Sequence, residues 1–156
     1  MNDFTLKNFE MTRRFFLRVV EDLDEAIIDV QPLGFNNTIH WQIGHVLTVT
    51  EQFMFGFPKK SSNLPENYLE LFGNGTKPSD WNEGVPALHE LVSRLKEQGT
   101  RLQSLSPEAF HQPLKKPFMG FETFGELANM ALYHEANHLG QIQSMNKLVS
   151  TAILNK

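Results

Sequence analysis

The stretch "LYHEANHLGQIQ", Leu132 to Gln143, holds the residues of this sequence that are best suited to chemistry. His134 and His138 are four residues apart, and Glu135 directly follows the first. The string matches H-E-x-x-H, a helical zinc signature in which the glutamate serves as general base. On a helix, side chains four apart lie roughly 5–6 Å from each other, so one cation can bind a ring nitrogen from each. Three interpretations are open: a metalloprotease, another metal site, or two histidines in a core.

The metalloprotease interpretation lacks a third ligand. A catalytic zinc site needs three protein ligands and an open position, and the glutamate-ligand form of the motif takes its third ligand from a carboxylate further downstream. No Asp or Glu follows Glu135 in this chain. The longer form, H-E-x-x-H-x-x-G-x-x-H, requires glycine and histidine where this chain has Gln141 and Ser144. We therefore interpret the H-E-x-x-H match as coincidental.

A third metal ligand must come from upstream of the histidine pair. The chain has no cysteine, so nitrogen and oxygen atoms are the available ligands. The upstream histidines are His40, His45, His89 and His111. His45 differs from the others because it lies within an apolar helical segment and follows Gly44, which lets a neighbouring backbone approach closely. A histidine pair buried without metal stays an alternative, although each imidazole would then need its own hydrogen-bond partner.

Helical periodicity dominates the chain, and no segment shows a convincing two-residue alternation. The predicted long helices run from Asp3 to about Ile28, Thr38 to about Phe57, Val85 to about Leu105, and Thr123 to about Leu148. Asn36 to Thr38 offer N-caps for the second helix, and T-x-x-E at Thr123–Glu126 is a capping box for the fourth. The inward stripe predicted for the fourth helix is Leu127, Ala131, His134, His138, Ile142 and Met145. Both histidines therefore interrupt an apolar face.

Length and composition favour one all-α domain over residues 1–156. The link from Pro58 to Gly84 contains "PENYLELFG", which predicts a short extra helix between the second and third long helices. The net charge of -4 is spread along the chain, so no nucleic-acid partner is expected. Since no long apolar segment and no secretory signal pattern is present, we expect a soluble cytoplasmic protein without a membrane partner.

Two segments resemble the DinB-like superfamily, which is named for a DNA-damage-inducible member: "NTIHWQIGHVL" in the second helix and "FGELANMALYHEANHLGQIQ" in the fourth. The resemblance covers nearly the whole chain. It implies a four-helix bundle of up-down-down-up order and a divalent ion held by His45, His134 and His138. Many relatives have a further histidine and an arginine where this chain has Asn137 and Leu139.

The resemblance also implies a function. Relatives with known activity include transferases and isomerases that use low-molecular-weight thiols, so a metal-dependent enzyme such as a thiol-dependent S-transferase is expected. Zinc or nickel is the favoured ion, with iron or manganese as alternatives. A small-molecule substrate and a homodimer are the expected partners. The alternatives are a stress-response protein that binds metal without turnover, and a plain helical bundle.

The residues around the site have alternative roles. Tyr68, Phe72 and Trp81 could form a lid over the substrate or merely cap a bundle end. Glu135 and Gln141 flank the ligands, and either could orient an imidazole or accept a proton. Glu135 could equally be a solvated helix residue.

Overall fold

The computed structural model describes residues 4–154, and most of this range is helical. The helices are α1 Phe4–Glu21, α2 Ile39–Glu51, α3 Tyr68–Phe72, α4 Leu88–Gln103 and α5 Phe124–Leu154. A π-helical turn, Gln52–Gly56, extends α2, and short 3-10 turns span Pro78–Asp80 and Pro107–His111. The strands β1 Pro113–Phe118 and β2 Phe121–Thr123 form an antiparallel hairpin before α5. The chain is mainly α-helical, as predicted, and the predicted helix start at Asp3 lies outside the described residues.

The caps predicted for two helices are present. Thr38 Oγ1 accepts the N–H of Trp41 at 3.2 Å and so caps α2. At α5, the N–H of Glu126 donates to Thr123 Oγ1 at 3.3 Å, while the N–H of Thr123 donates to Glu126 Oε2 at 2.8 Å. These reciprocal bonds satisfy backbone donors that a helix start leaves free. The short extra helix is also confirmed, as α3.

The first helix is shorter than predicted, because it ends at Glu21 and not near Ile28. The Asp24 carboxylate accepts the backbone N–H two residues further on at 2.9 Å. Such a local bond offers the backbone an alternative to continuing the helix. Leu23 and Ile27 are still buried in the core, although they lie in turns. The apolar spacing therefore extends beyond the helix itself.

The expectation that the chain contains no strand is wrong for the hairpin. Met119 and Gly120 connect its strands with φ angles of 53° and 85°. Two consecutive positive φ angles are typical of the tight turns that match the twist of a hairpin. The usual sequence signal for such a turn is Asn-Gly or Asp-Gly, which is absent here. The alternation of apolar and polar residues that marks a half-buried strand is also weak, because β1 is largely exposed.

The long helices enclose the core. α1 packs against α4 and α5, and α2 packs against the same two helices. The predicted inward stripe of α5 is correct, since Leu127, Ala131, His138, Ile142 and Met145 are buried and His134 is half-buried. Among residues 4–154, no helix combines the length and apolar character needed to cross a membrane.

Candidate metal centre

Three histidines from two helices converge on one point between α2 and α5. The Nε2 atom of His134 lies 3.0 Å from Nε2 of His45 and 3.1 Å from Nε2 of His138. One ring nitrogen from each residue lies within 4.8 Å of the others, so the three could hold a metal ion. The structure thus brings together the histidines that the resemblance implied as ligands.

The other candidate histidines lie elsewhere. Both ring nitrogens of His40 are engaged, Nδ1 by the Asp29 carboxylate and Nε2 by the Pro86 carbonyl, each at 2.8 Å. His89 and His111 are exposed on α4 and in the turn before the hairpin. They are available as controls for experiments on the site.

Neighbouring aromatic residues fix the His45 ring. A Cβ atom at Gly44 would lie 2.3 Å from the Phe72 ring, so glycine is what allows Phe72 of α3 to pack directly on α2. The Phe72 carbonyl then lies 2.7 Å from His45 Nδ1. Trp41 stacks on the imidazole with centroids 4.4 Å apart. The close approach expected at Gly44 is therefore present, and it is made by a side-chain ring.

Hydrogen bonds at Nδ1 set the tautomers of two imidazoles, those of His45 and His138. A carbonyl oxygen only accepts, so His45 must donate from Nδ1, which leaves a lone pair on Nε2. His138 Nδ1 contacts the amide oxygen of Gln42 in the same way. Both lone pairs therefore face Nε2 of His134, whose own Nδ1 is buried without a hydrogen-bond partner.

Burial keeps the three imidazoles neutral at pH 7. Desolvation lowers the pKa of His45 below its usual value, against the opposing effect of the Phe72 carbonyl. Burial, and then repulsion by the neighbouring histidines, lowers the pKa of His134 to about 4 and that of His138 to about 3. Neutral imidazole is the form that coordinates a metal.

The donor set fits a divalent ion. One proton on His134 Nε2 can satisfy only one of the two facing lone pairs, so a buried lone pair would stay unsatisfied without a cation. Imidazole nitrogens lie about 2.0–2.1 Å from zinc, which places two tetrahedral ligands roughly 3.3–3.4 Å from each other. The nitrogen spacings of 3.0 and 3.1 Å are a few tenths of an ångström shorter, so a small shift of the rings would admit an ion.

Comparison with known proteins now identifies the family. The model of the DinB superfamily matches residues 8–142, which include all three histidines. The chain belongs to the DinB superfamily. A crystal structure of a conserved protein from Enterococcus faecalis has a similar fold, with a TM-score of 0.67 and 15% identity. That match covers 97% of this chain and 99% of the other. No curated protein sequence matches the chain.

In this DinB-superfamily chain, Glu135 does not act on the ligands. It is fully buried, and its carboxylate accepts from Arg13 Nε at 2.8 Å and Nη2 at 2.9 Å. Neither expected role, an orienting or basic residue at the site or a solvated residue, is correct. Because the carboxylate faces α1, the structure supports the prediction that the H-E-x-x-H match is coincidental.

The side chain that contacts His138 Nδ1 is Gln42, a contact that was not predicted from the sequence. It lies three residues before His45 on the same face of α2, and this spacing was the available signal. Gln141 contacts Gln42 and lies behind it as seen from the imidazoles, because its Oε1 accepts from Gln42 Nε2 at 2.8 Å. Its predicted contact with an imidazole is therefore replaced by a contact with Gln42.

The aromatic residues of the long link are core residues. Tyr68 and Phe72 are buried, and Tyr68 donates from its hydroxyl to Glu90 at 2.9 Å. Trp81 is half-buried and donates from Nε1 to the Leu71 carbonyl at 2.9 Å. The lid interpretation is wrong for the two buried residues, and the capping interpretation fits all three.

Proposed function

We propose that the protein is a metal-dependent enzyme in which His45, His134 and His138 bind one divalent ion. The observation that carries this proposal is the convergence of three neutral Nε2 atoms between α2 and α5. All ligands are imidazoles, which favours zinc or nickel over the harder magnesium and calcium ions. Iron and manganese are the alternatives.

We infer that the site catalyses attack of a low-molecular-weight thiol on a small electrophile, in which the thiol loses its proton, a sulfur–carbon bond forms and a leaving group such as chloride departs. A bound ion of this kind supplies Lewis-acid chemistry and suits a thiolate partner. The chain holds the ligand rings in place through the Phe72 carbonyl and the Gln42 amide, while Trp41 covers one face of His45. His134 is the most exposed of the three ligands, so we place the substrate approach on its side.

We also infer that residues 1–156 form one domain, a four-helix bundle of up-down-down-up order. Hydrogen bonds from α2 progress in the same direction along α4 and the residues just before it: His40 with Pro86, Leu47 with Gln98, and Glu51 with Arg101. Between α2 and α5 they run in opposite directions, as Gln42 with Gln141 and His45 with His134 do. α1 and α4 also run in opposite directions, with Leu6 bonded to Gln103 and Arg13 to Leu95. These partners support the proposed order.

We propose a cytoplasmic homodimer that acts on small molecules, without a nucleic-acid or membrane partner. The outer face of α1 exposes Phe4, Met11 and Phe15, which suits contact with a second copy. Sedimentation velocity of the purified chain tests this assembly, and a monomer at micromolar concentration would contradict it.

Elemental analysis of protein purified without added metal tests the metal site. We expect about one equivalent of a divalent transition metal in the wild type and in His89→Ala, which removes an exposed histidine on α4. We expect its loss in His134→Ala. Retention of the metal by His134→Ala would contradict the proposal.

A second experiment separates the enzyme from a protein that only binds metal. The metal-loaded protein is incubated with glutathione, cysteine or other cellular thiols and a chloro-aromatic electrophile. We expect a rate acceleration that His45→Ala abolishes and His89→Ala preserves. Stoichiometric metal without any acceleration would favour the alternative, a stress-response protein that binds metal without turnover.

A further inference from the structure

Gln42 is the centre of a chain of side-chain amides behind His138. It is 0% exposed. Its Oε1 contacts His138 Nδ1, and its Nε2 lies 3.0 Å from Asn37 Oδ1 and 2.8 Å from Gln141 Oε1. Each polar atom of the Gln42 side chain therefore has a hydrogen-bond partner.

The two outer amides determine which way Gln42 faces. An amide nitrogen only donates, and an amide oxygen only accepts. The oxygens of Asn37 and Gln141 use both N–H groups of Gln42, so its own oxygen must face the imidazole. His138 Nδ1 can then act only as a donor. Its lone pair is consequently on Nε2, 3.1 Å from His134 Nε2.

We propose that Gln42 is a positioning residue of the metal centre, which holds His138 in the tautomer and ring orientation that offer Nε2 to the ion. This inference rests on the proposed function. It extends the site to the loop before α2, through Asn37, and to the next turn of α5, through Gln141. Loss of such a partner typically weakens metal affinity about 10- to 100-fold.

Zinc titration calorimetry on three variants tests this role. Gln42→Leu removes the acceptor, so we expect zinc affinity to fall about 10- to 100-fold. Gln42→Glu keeps an acceptor oxygen for His138 Nδ1, and the Asn37 and Gln141 amides can turn their N–H groups towards its second oxygen, so we expect affinity at or above the wild-type value. Gln98→Leu is the matched control: Gln98 is also 0% exposed and hydrogen-bonded, but its partners are Arg13, Leu47 and Glu51.

The control distinguishes positioning from general loosening of the core. We expect Gln98→Leu to lower the melting temperature while zinc affinity stays within twofold of the wild type. Equal losses of affinity in Gln98→Leu and Gln42→Leu would overturn the proposal. An unchanged affinity in Gln42→Leu, or no rescue by Gln42→Glu, would do so too.

Nitrogen NMR of the metal-free protein provides a readout that does not require an ion. We expect His138 to carry its proton on Nδ1 in the wild type and to shift towards the Nε2 tautomer in Gln42→Leu. A wild-type protein that binds zinc but carries the His138 proton on Nε2 overturns the role of Gln42 alone. A wild-type protein that binds no zinc overturns the proposed function instead.

Discussion

The protonation of individual histidines sets the pH range in which the site can bind a cation. Burial lowers the pKa of His45 below its usual value, that of His134 to about 4 and that of His138 to about 3, so protons compete with an ion only at a pH below that of ordinary histidines. We expect the pH at which zinc affinity is lost to lie below 6.5, with the loss continuing towards pH 4. Calorimetry across this range checks the prediction. A loss of affinity centred near pH 6.5, the value of an unperturbed histidine, would contradict it.

The same lowered pKa values affect the stability of the metal-free protein. The unfolded chain protonates these histidines near pH 6.5, whereas the folded chain resists protonation until about pH 4 or below. The unfolded state therefore binds more protons in this window, so these residues make the free energy of unfolding decrease as the pH falls from about 6.5 to 4.

Glu135 is expected to matter for stability and not for metal binding. Glu135→Gln leaves the buried Arg13 guanidinium without its counter-charge, and breaking a buried pair typically costs about 3–5 kcal/mol. Urea unfolding measures that loss. Glu97→Gln, an exposed change on α4, should stay within about 0.5 kcal/mol of the wild type. A large loss of zinc affinity in a folded Glu135→Gln protein would contradict the separation of roles.

At the residue scale, the histidines predicted to share an ion do lie together, whereas the residues that contact their Nδ1 atoms were not predicted. His134 and His138 were identified because two polar residues interrupted an apolar stripe. Glu135 was misread because a residue adjacent in sequence lies about 100° away around a helix, and here it faces α1. His138 Nδ1 contacts Gln42, 96 positions away; the spacing of Gln42 from His45 indicates a shared face of α2 but not which residue of α5 it meets.

At the element scale, α2 and α3 fit together because Gly44 has no side chain. In Gly44→Ala the new methyl would meet the fully buried Phe72 ring at 2.3 Å. Overpacking of this kind typically destabilises a core by about 1–3 kcal/mol. It would also displace the Phe72 carbonyl from His45, so we expect weaker zinc binding. Urea unfolding and zinc calorimetry measure the two effects.

Gly140→Ala is the matched control for this prediction. Gly140 is an exposed residue of α5, and a Cβ there would meet nothing within 4 Å. Alanine in a helix interior is roughly 0.5–1 kcal/mol more favourable than glycine, so this variant should be slightly more stable than the wild type. If Gly44→Ala were equally harmless, close packing of α3 on α2 would not be what positions His45.

The elements themselves were predictable to different degrees. The starts of α2 and α5 followed from Thr38 and the Thr123–Glu126 capping box, since caps are local chemistry. The end of α1 did not, because Leu23 continues the apolar spacing after the helix has stopped. The hairpin was missed because its turn uses Met119, which gives no turn signal.

At the scale of the whole molecule, an ion shared by α2 and α5 should couple binding to folding. A ligand present at 100 times its Kd stabilises the folded state by about 2.7 kcal/mol. For a chain of this size that corresponds to roughly 5–10 °C in Tm. We expect a chelator to lower Tm by this amount in the wild type and to have no effect on His134→Ala. Equal chelator effects on both proteins would contradict this linkage.

We propose that one cation binds all three imidazoles. A crystal structure of the zinc-loaded protein, with anomalous difference maps recorded on both sides of the zinc absorption edge, tests it most directly. We expect one strong peak about 2.0–2.1 Å from Nε2 of His45, His134 and His138. A peak bound by fewer than three of these rings, or a zinc ion located elsewhere on the chain, would contradict it.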